Sequence, residues 1–377
     1  MGFFKNLLKA IFPAKLLKGG FLVYNKIKIN TTDKILFSEQ RIDIKDYLIY
    51  SNPSPFGNVN LDDLDKSTKI YMNNWKSWRQ EEFILKWNHQ CTIEPEHGWA
   101  LSGFNRLIYQ SLSFSRTSHQ RKPSLLRYWL RKKVIRLKSA ISVRDTGEEN
   151  YFHFYNDVLS KIFWLKQYNV DVNSIPIVIS KALWSKQYFQ AYLKYSSFLS
   201  CLNWVIQENE YIECESVYFI KAPTHDKRLW DKIFGALPGF DRLPPLRVFV
   251  SRKKSRLRFI KNNEEIVNIC KQHSFMIVDN DDLSYDDQVK LYNRADLIVG
   301  IHGSGLTNLY FRNDLCKILE IFPSPNLNYL PFHYVMLAKM KGFEYHAILG
   351  ENEGDDYSGG FYLSAHVFEE AIKQMLS

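Results

Sequence analysis

The sequence predicts an α/β protein in which two domains with parallel sheets face a cleft. Three observations lead there. Through the second half of the chain, short apolar strand runs alternate with short, capped helical patterns, the signature of right-handed βαβ units. One such run, Leu297–Ile301, empties into His302-Gly303-Ser304-Gly305 and then into a helical pattern, so that ligands are expected at the carboxyl ends of the strands. At 377 residues, 45% of them apolar, the chain is long enough for about two domains with sizeable cores.

In chain order, residues 1–70 read as an amphipathic and then irregular segment. Phe3, Phe4, Leu7, Leu8, Ile11 and Phe12 recur at helical spacing, with Lys5, Lys9, Lys15 and Lys18 around them and Pro13 limiting the helix. That pattern fits an interfacial membrane anchor over residues 1–18 or a terminal helix docked on the protein's own core. It lacks the long apolar run and small-residue cleavage site of a signal peptide, and no stretch reaches the roughly 20 apolar residues that cross a bilayer.

Residues 71–245 form the first expected domain. Helical signals cover 74–87, strand-like runs fall near 99–115, and the basic stretch 119–138 reads as a solvated helix or loop. Strands follow at Ile175–Ser180, Trp204–Gln207 and Ser216–Lys221, with a helix over 181–195. Prolines and glycines at 223–245 mark a linker.

Residues 246–350 form the second. Strands are expected at Arg247–Ser251, Phe275–Val278, Leu297–Ile301, Lys317–Phe322 and 343–349. The helix over 263–273 starts at Asn262 and Asn263, with Glu264 and Glu265 in its first turn. Ser284 and Asp287 open the next, and a third covers about 328–341. The tail, 351–377, ends in an amphipathic helix over 364–376.

Lys plus Arg, 50, exceeds Asp plus Glu, 40, giving a net charge of +10 that favours phosphates, nucleotides, anionic lipid or nucleic acid as partners. The five cysteines are odd in number and have no C-x-x-C spacing, which fits a reducing cytosol better than a disulfide framework or a zinc site. The pairs Asp279-Asn280-Asp281 and Asp355-Asp356 read as loop solvation rather than metal ligands.

Four constellations carry chemistry. The loop His302–Asn308 (His302, Gly303, Ser304, Gly305, Leu306, Thr307, Asn308) is how a backbone offers N–H groups to a phosphate: the glycines permit positive φ and close approach, and the helix start supplies donors. His302 adds a side chain able to donate to a leaving oxyanion. Arg252 and Arg258 lie just past the first strand of the second domain, where guanidinium forks can grip phosphate. Glu320, near the end of its strand, can accept ribose hydroxyls. In the 150–161 helix, His153, Asp157 and Lys161 fall on one side at i, i+4 and i+8. Either they form a solvated face with an Asp157–Lys161 pair, or His153 and Asp157 are an acid/base unit in the cleft.

These motifs, together with Asn150-Tyr151-Phe152-His153, Asp287-Gln288-Val289, Ala295-Asp296 and Leu319-Glu320-Ile321-Phe322-Pro323, follow an ordered pattern over about 95–350. In it the chain resembles glycosyltransferase family 61, the group that includes EGF-domain O-GlcNAc transferases, plant xylosyltransferases and bacterial polysaccharide-building enzymes. Ser304 departs from the alanine usual in the family. The resemblance implies a GT-B arrangement of two Rossmann-like domains and a hexosyl-, N-acetylhexosaminyl- or pentosyltransferase. It implies a nucleotide-sugar donor, UDP-linked by expectation, with inversion and no metal or other cofactor. It places Arg252, Arg258, His302–Asn308 and Glu320 on the donor side, and His153 and Asp157 on the acceptor side, with His302 a further catalytic candidate. The expected acceptor is a glycan or lipid-linked glycan in lipopolysaccharide or capsule synthesis, at the cytoplasmic face of the inner membrane and without nucleic acid. The alternative is a polyanion-binding protein without catalysis, resting on the net charge and the basic 121–138 segment.

Overall fold

The computed structural model describes residues 38–40, 46–56, 59–62, 64, 66–73, 75–112, 123–237, 244–253, 257–323, 330–352 and 359–377. Residues 1–18, expected as an anchor or docked helix, lie outside them, as do 121–122 of the basic stretch and Asp355-Asp356.

The second half folds as its pattern predicts. Five parallel strands stand in the spatial order Phe275–Val278, Leu246–Val250, Ala295–Ile301, Lys317–Phe322, Glu344–Leu349. Alternation decides which face each side chain takes. Val248, Ile298 and Ile318 pack towards the helices Tyr285–Arg294 and His333–Lys341. Phe249, Leu297, Val299 and Leu319 pack towards Asn263–Gln272 and Ala365–Leu376. Ser284 caps its helix by accepting from the Asp287 N–H, and Ser364 caps the last one through the Val367 N–H. In chain order the strands read 2-1-3-4-5, so the switch point lies between the ends of Leu246–Val250 and Ala295–Ile301.

The first half corrects several expectations. Its sheet has ten strands and is mixed, not parallel throughout. A parallel core runs Tyr211–Lys221, Val134–Ser142, Ile177–Ser180, Trp204–Gln207. Antiparallel strands extend it, because Glu82–Trp87 and Cys91–Ile93 both pair with the long Tyr211–Lys221 strand. The helix expected over 74–87 is not found in its described residues, 75–87: the helix is Lys66–Asn73, and the apolar Glu82–Trp87 run is a buried strand. Among its described residues, the basic stretch contains a short helix, Leu125–Trp129, and then enters the Val134–Ser142 strand between two neighbours. The expected helix over 181–195 is two helices, Lys181–Trp184 and Gln187–Tyr195.

One core cluster runs through both halves. Tyr155, Trp230 and Phe234 from the first meet Tyr310 and Phe311 from the second, and the Tyr155 and Tyr285 hydroxyls lie 3.0 Å apart.

Candidate active site

At the switch point, the 295–301 strand ends in His302, whose backbone N–H donates to Ile321 on the next strand. This fixes the imidazole above Glu320: His302 Nδ1 lies 2.5 Å from Glu320 Oε1. The Tyr345 hydroxyl donates to Glu320 Oε2 at 2.7 Å. Glu320 is wholly buried, so it does not face open space as a ribose acceptor would; its carboxylate sits beneath His302. Burial pushes the His302 pKa down, the Glu320 charge opposes that shift, and the Arg258 and Arg252 charges add to it. The ring stacks on Phe322 with centroids 5.1 Å apart.

Gly303 serves by both backbone and close approach, Gly305 by close approach. Gly303 stands at φ 159, ψ 170, a conformation that L side chains rarely adopt, and Gly305 is not among the positive-φ residues. A Cβ on Gly303 would stand 2.0 Å from Arg252 Nη2, so its absence lets the guanidinium lie against the loop. A Cβ on Gly305 would stand 2.6 Å from Asn280 Nδ2. The element that follows is the 3-10 helix Ser304–Phe311, not an α-helix. Within it Leu306, Thr307 and Asn308 are buried, and the Asn308 amide donates to Gln288 Oε1 at 2.8 Å. These three side chains hold the loop to the Tyr285–Arg294 helix and the core; Ser304 and Gly305 keep surface. Arg252 donates from Nη1 to the Leu257 carbonyl at 2.8 Å.

On the other side, Asn150 caps the helix that begins at Tyr151, its Oδ1 accepting from the Phe152 N–H at 3.0 Å. A π-helical stretch, Phe154–Leu159, then interrupts the helix, and the Ser160 hydroxyl donates to the Tyr155 carbonyl. His153 and Asp157 remain together, Nδ1 to Oδ2 at 2.5 Å, 21% and 15% exposed. Past the π stretch, Lys161 turns into the interior and pairs with Asp145 at 3.0 Å, both almost fully buried. The solvated Asp157–Lys161 pair is thus not formed.

Sequence reasoning missed the groups around this pair. The Asn156 amide donates to Asp157 Oδ1 at 2.8 Å and to the Thr224 hydroxyl at 2.9 Å, and Asn156 Oδ1 accepts from the His225 N–H. His225 Nε2 lies 3.4 Å from His333 Nδ1, with the two rings stacked. Burial holds His225 down to about 3 and His333 well below the usual imidazole range. His225, at φ 53, and Arg258, at φ 61, have left-handed backbones, uncommon for such side chains and frequent at functional sites. The available signal for His225 was Thr224-His225 following closely on the carboxyl end of a parallel strand. His333 carried no such signal.

The pair opens on a cavity of about 570 Å³ lined by Trp75, Trp78, Tyr109, Phe152, Lys221 and His333 among others. His333 belongs to the second half yet packs on Phe152 at 4.5 Å; Arg252, Arg258, Glu320 and the 302–308 loop do not line this cavity, and the two sides are linked through Tyr334, whose ring lies 6.0 Å from Phe152 and 5.3 Å from His302. Among the described residues, no group of three or more His, Cys, Asp or Glu side chains is arranged to hold a metal ion.

The Glycosyltransferase 61 family model matches residues 151–319. The dog EGF domain-specific O-linked N-acetylglucosamine transferase is 30% identical over 105 residues, 26% of this chain and 19% of that protein. A beta-1,2-xylosyltransferase from Arabidopsis thaliana is 36% identical over 66 residues, 18% of this chain and 12% of that protein. An alpha-1,3-arabinosyltransferase from Oryza sativa subsp. japonica is 30% identical over 81 residues, 21% and 14%. The chain spans about a fifth or less of the length of these curated relatives.

Proposed function

We propose that the chain is a member of glycosyltransferase family 61, whose model it matches over residues 151–319, and that it transfers a sugar from a nucleotide-sugar donor, UDP-linked, to a glycan acceptor. One observation carries this reading: Tyr334, packed on both His302 and Phe152, joins a phosphate-type glycine loop at a switch point to a His–Asp pair in an adjoining cavity. A polyanion-binding surface needs neither the buried His302–Glu320 contact nor the His153–Asp157 pair.

In this reading the two sheets act as the halves of a GT-B enzyme. The donor diphosphate lies over Ser251, Arg252 and the Gly303–Gly305 backbone, with Arg258 beside it. Asp157 holds the His153 Nδ1–H, which leaves Nε2 as the proton acceptor of the ring. The acceptor hydroxyl gives its proton to Nε2 as its oxygen bonds to the anomeric carbon. The bond from that carbon to the diphosphate oxygen breaks on the opposite face, so configuration inverts. Charge growing on the diphosphate meets Arg252, Arg258, the loop N–H groups and His302, which has taken a proton from solvent as the donor bound and donates a hydrogen bond from Nε2. This arrangement needs no metal. The resemblance to polysaccharide-building enzymes supports lipopolysaccharide or capsule as the product, made at a membrane face.

The test is a thermal-shift screen of nucleotides and nucleotide sugars followed by a transfer assay. A donor at 100 times its Kd should stabilise the protein by about 2.7 kcal/mol. Absence of any shift with nucleotide diphosphates or their sugars, alongside strongly salt-dependent polyanion binding, would replace this reading with the polyanion binder.

A further inference from the structure

Two loops come together on the edge of the first half. Gly103, at φ 59, forms the tip between the Ala100–Ser102 and Arg106–Ile108 strands. The Tyr128 hydroxyl donates to the Gly103 carbonyl at 2.7 Å, and the Trp129 indole N–H donates to the Phe104 carbonyl at 2.8 Å. The hairpin tip is thereby fastened to the Leu125–Trp129 helix. The joint presents Phe104, 68% exposed and stacked on Trp129 at 4.3 Å, beside Leu130, 62% exposed. Arg106, Arg127, Lys132 and Lys133 are exposed on the same two segments, and neither 102–108 nor 123–133 contains an acid.

A stacked Trp–Phe pair and a leucine at the tips of pinned loops, ringed by cations, match the acyl boundary and the anionic headgroups of a bilayer together. A nucleic acid would use the cations and the ring faces but would not favour an exposed leucine. Glu94, Glu96 and Glu208 line the groove beside Arg127 and Leu130 and oppose any anionic surface there alike, so the exposed apolar trio is what separates a bilayer from a nucleic acid. We propose that Phe104, Trp129 and Leu130, with Arg106, Arg127, Lys132 and Lys133, form a docking surface for an anionic lipid bilayer. This surface is separate from residues 1–18 and does not depend on the transferase reading.

Flotation of the full chain with vesicles of phosphatidylcholine, with and without phosphatidylglycerol, tests it. The full chain should float with the anionic vesicles and barely with the neutral ones. Arg127→Glu/Lys132→Glu should weaken partition by about fivefold or more per cation, and Phe104→Ser/Leu130→Ser by at least as much, with unchanged thermal midpoints in both. Neither variant touches the proposed transfer machinery, so nucleotide affinity should stay as in the parent. Parental flotation by both variants would overturn the proposal and leave residues 1–18 or another face as the anchor. So would failure of the full chain to float. Loss of a dimer in Phe104→Ser/Leu130→Ser with parental flotation would reassign the patch to self-association.

Discussion

Glu320 Oε1 lies 2.5 Å from His302 Nδ1, and the carboxylate has no exposed surface. The contact crosses two neighbouring parallel strands, where Gly300 pairs with Glu320 and His302 continues one strand past that register. A buried carboxylate with one oxygen on the imidazole and the other on the Tyr345 hydroxyl orients His302 and favours its protonated form. Glu320 is thus a positioning residue.

Nucleotide diphosphate binding should therefore be coupled to proton uptake. Burial lowers the His302 pKa in the free protein, and an incoming diphosphate opposes that shift. Calorimetry near pH 7 in buffers of different ionisation enthalpy should show uptake of up to one proton. Glu320→Gln should reduce that uptake and lower turnover by about 10–100-fold, the usual scale for groups that orient a site. Equal proton uptake in the parent and in Glu320→Gln would separate His302 from the diphosphate.

Gly303→Ala should act through Arg252. The new Cβ would meet the guanidinium at 2.0 Å and would also strain a backbone at φ 159 that L side chains rarely adopt, so the thermal midpoint should fall and affinity is compared on the folded variant. Diphosphate affinity should fall by about tenfold or more, as in Arg252→Ala, in line with the roughly 1.5–3 kcal/mol of a charge-assisted hydrogen bond. Titration calorimetry decides it, and unchanged affinity in both variants would move the phosphate away from this loop.

Asp157→Asn is nearly isosteric but cannot hold the His153 N–H as an anion. Turnover should drop by about 10²–10⁴ with donor affinity almost unchanged. Because both Asp157 oxygens are already engaged, by His153 and Asn156, His153→Ala should cost at least as much. Near-parental kcat in His153→Ala would shift the base to Asp157 itself.

Stability should fall as the solution is acidified, through His225. Its folded pKa of about 3 lies below the ordinary 6.5, so the unfolded chain takes up a proton first. The stabilisation is complete above about pH 6.5 and is lost progressively as pH falls towards 3, at up to about 1.4 kcal/mol per pH unit for one group. His333, also depressed, adds to the same slope. Denaturant titrations between pH 7 and about pH 4 should show a shallower loss in His225→Gln than in the parent. Identical slopes would mean that the His225 ring is solvated enough to titrate alike in the folded and unfolded chain.

Lys161→Met separates the two readings of its helix. A surface lysine would change stability by about 0–1 kcal/mol. The buried pair with Asp145 leaves an uncompensated carboxylate when broken, a loss of about 3–5 kcal/mol. Equilibrium unfolding distinguishes the two.

Much of the second half was legible in the amino-acid order, because parallel strands covered on both faces read as unbroken apolar runs and Ser284 and Asp287 announce their helix locally. Lys317–Phe322 and Phe275–Val278 begin and end where their apolar runs do. The first half was less legible for the opposite reason. Val134–Ser142 carries Arg136 and Lys138 on its outward positions and looks like solvated surface until Tyr211–Lys221, more than 70 residues on, pairs with it. In the site, the sequence by itself determined the glycine loop and the i, i+4 spacing of His153 and Asp157, since both are short-range backbone properties. Only the tertiary structure decided that Glu320 lies beneath His302, that the π stretch turns Lys161 onto Asp145, and that His225 meets His333. Those contacts depend on strand register and on helix packing between residues far apart in the chain, which no local pattern encodes.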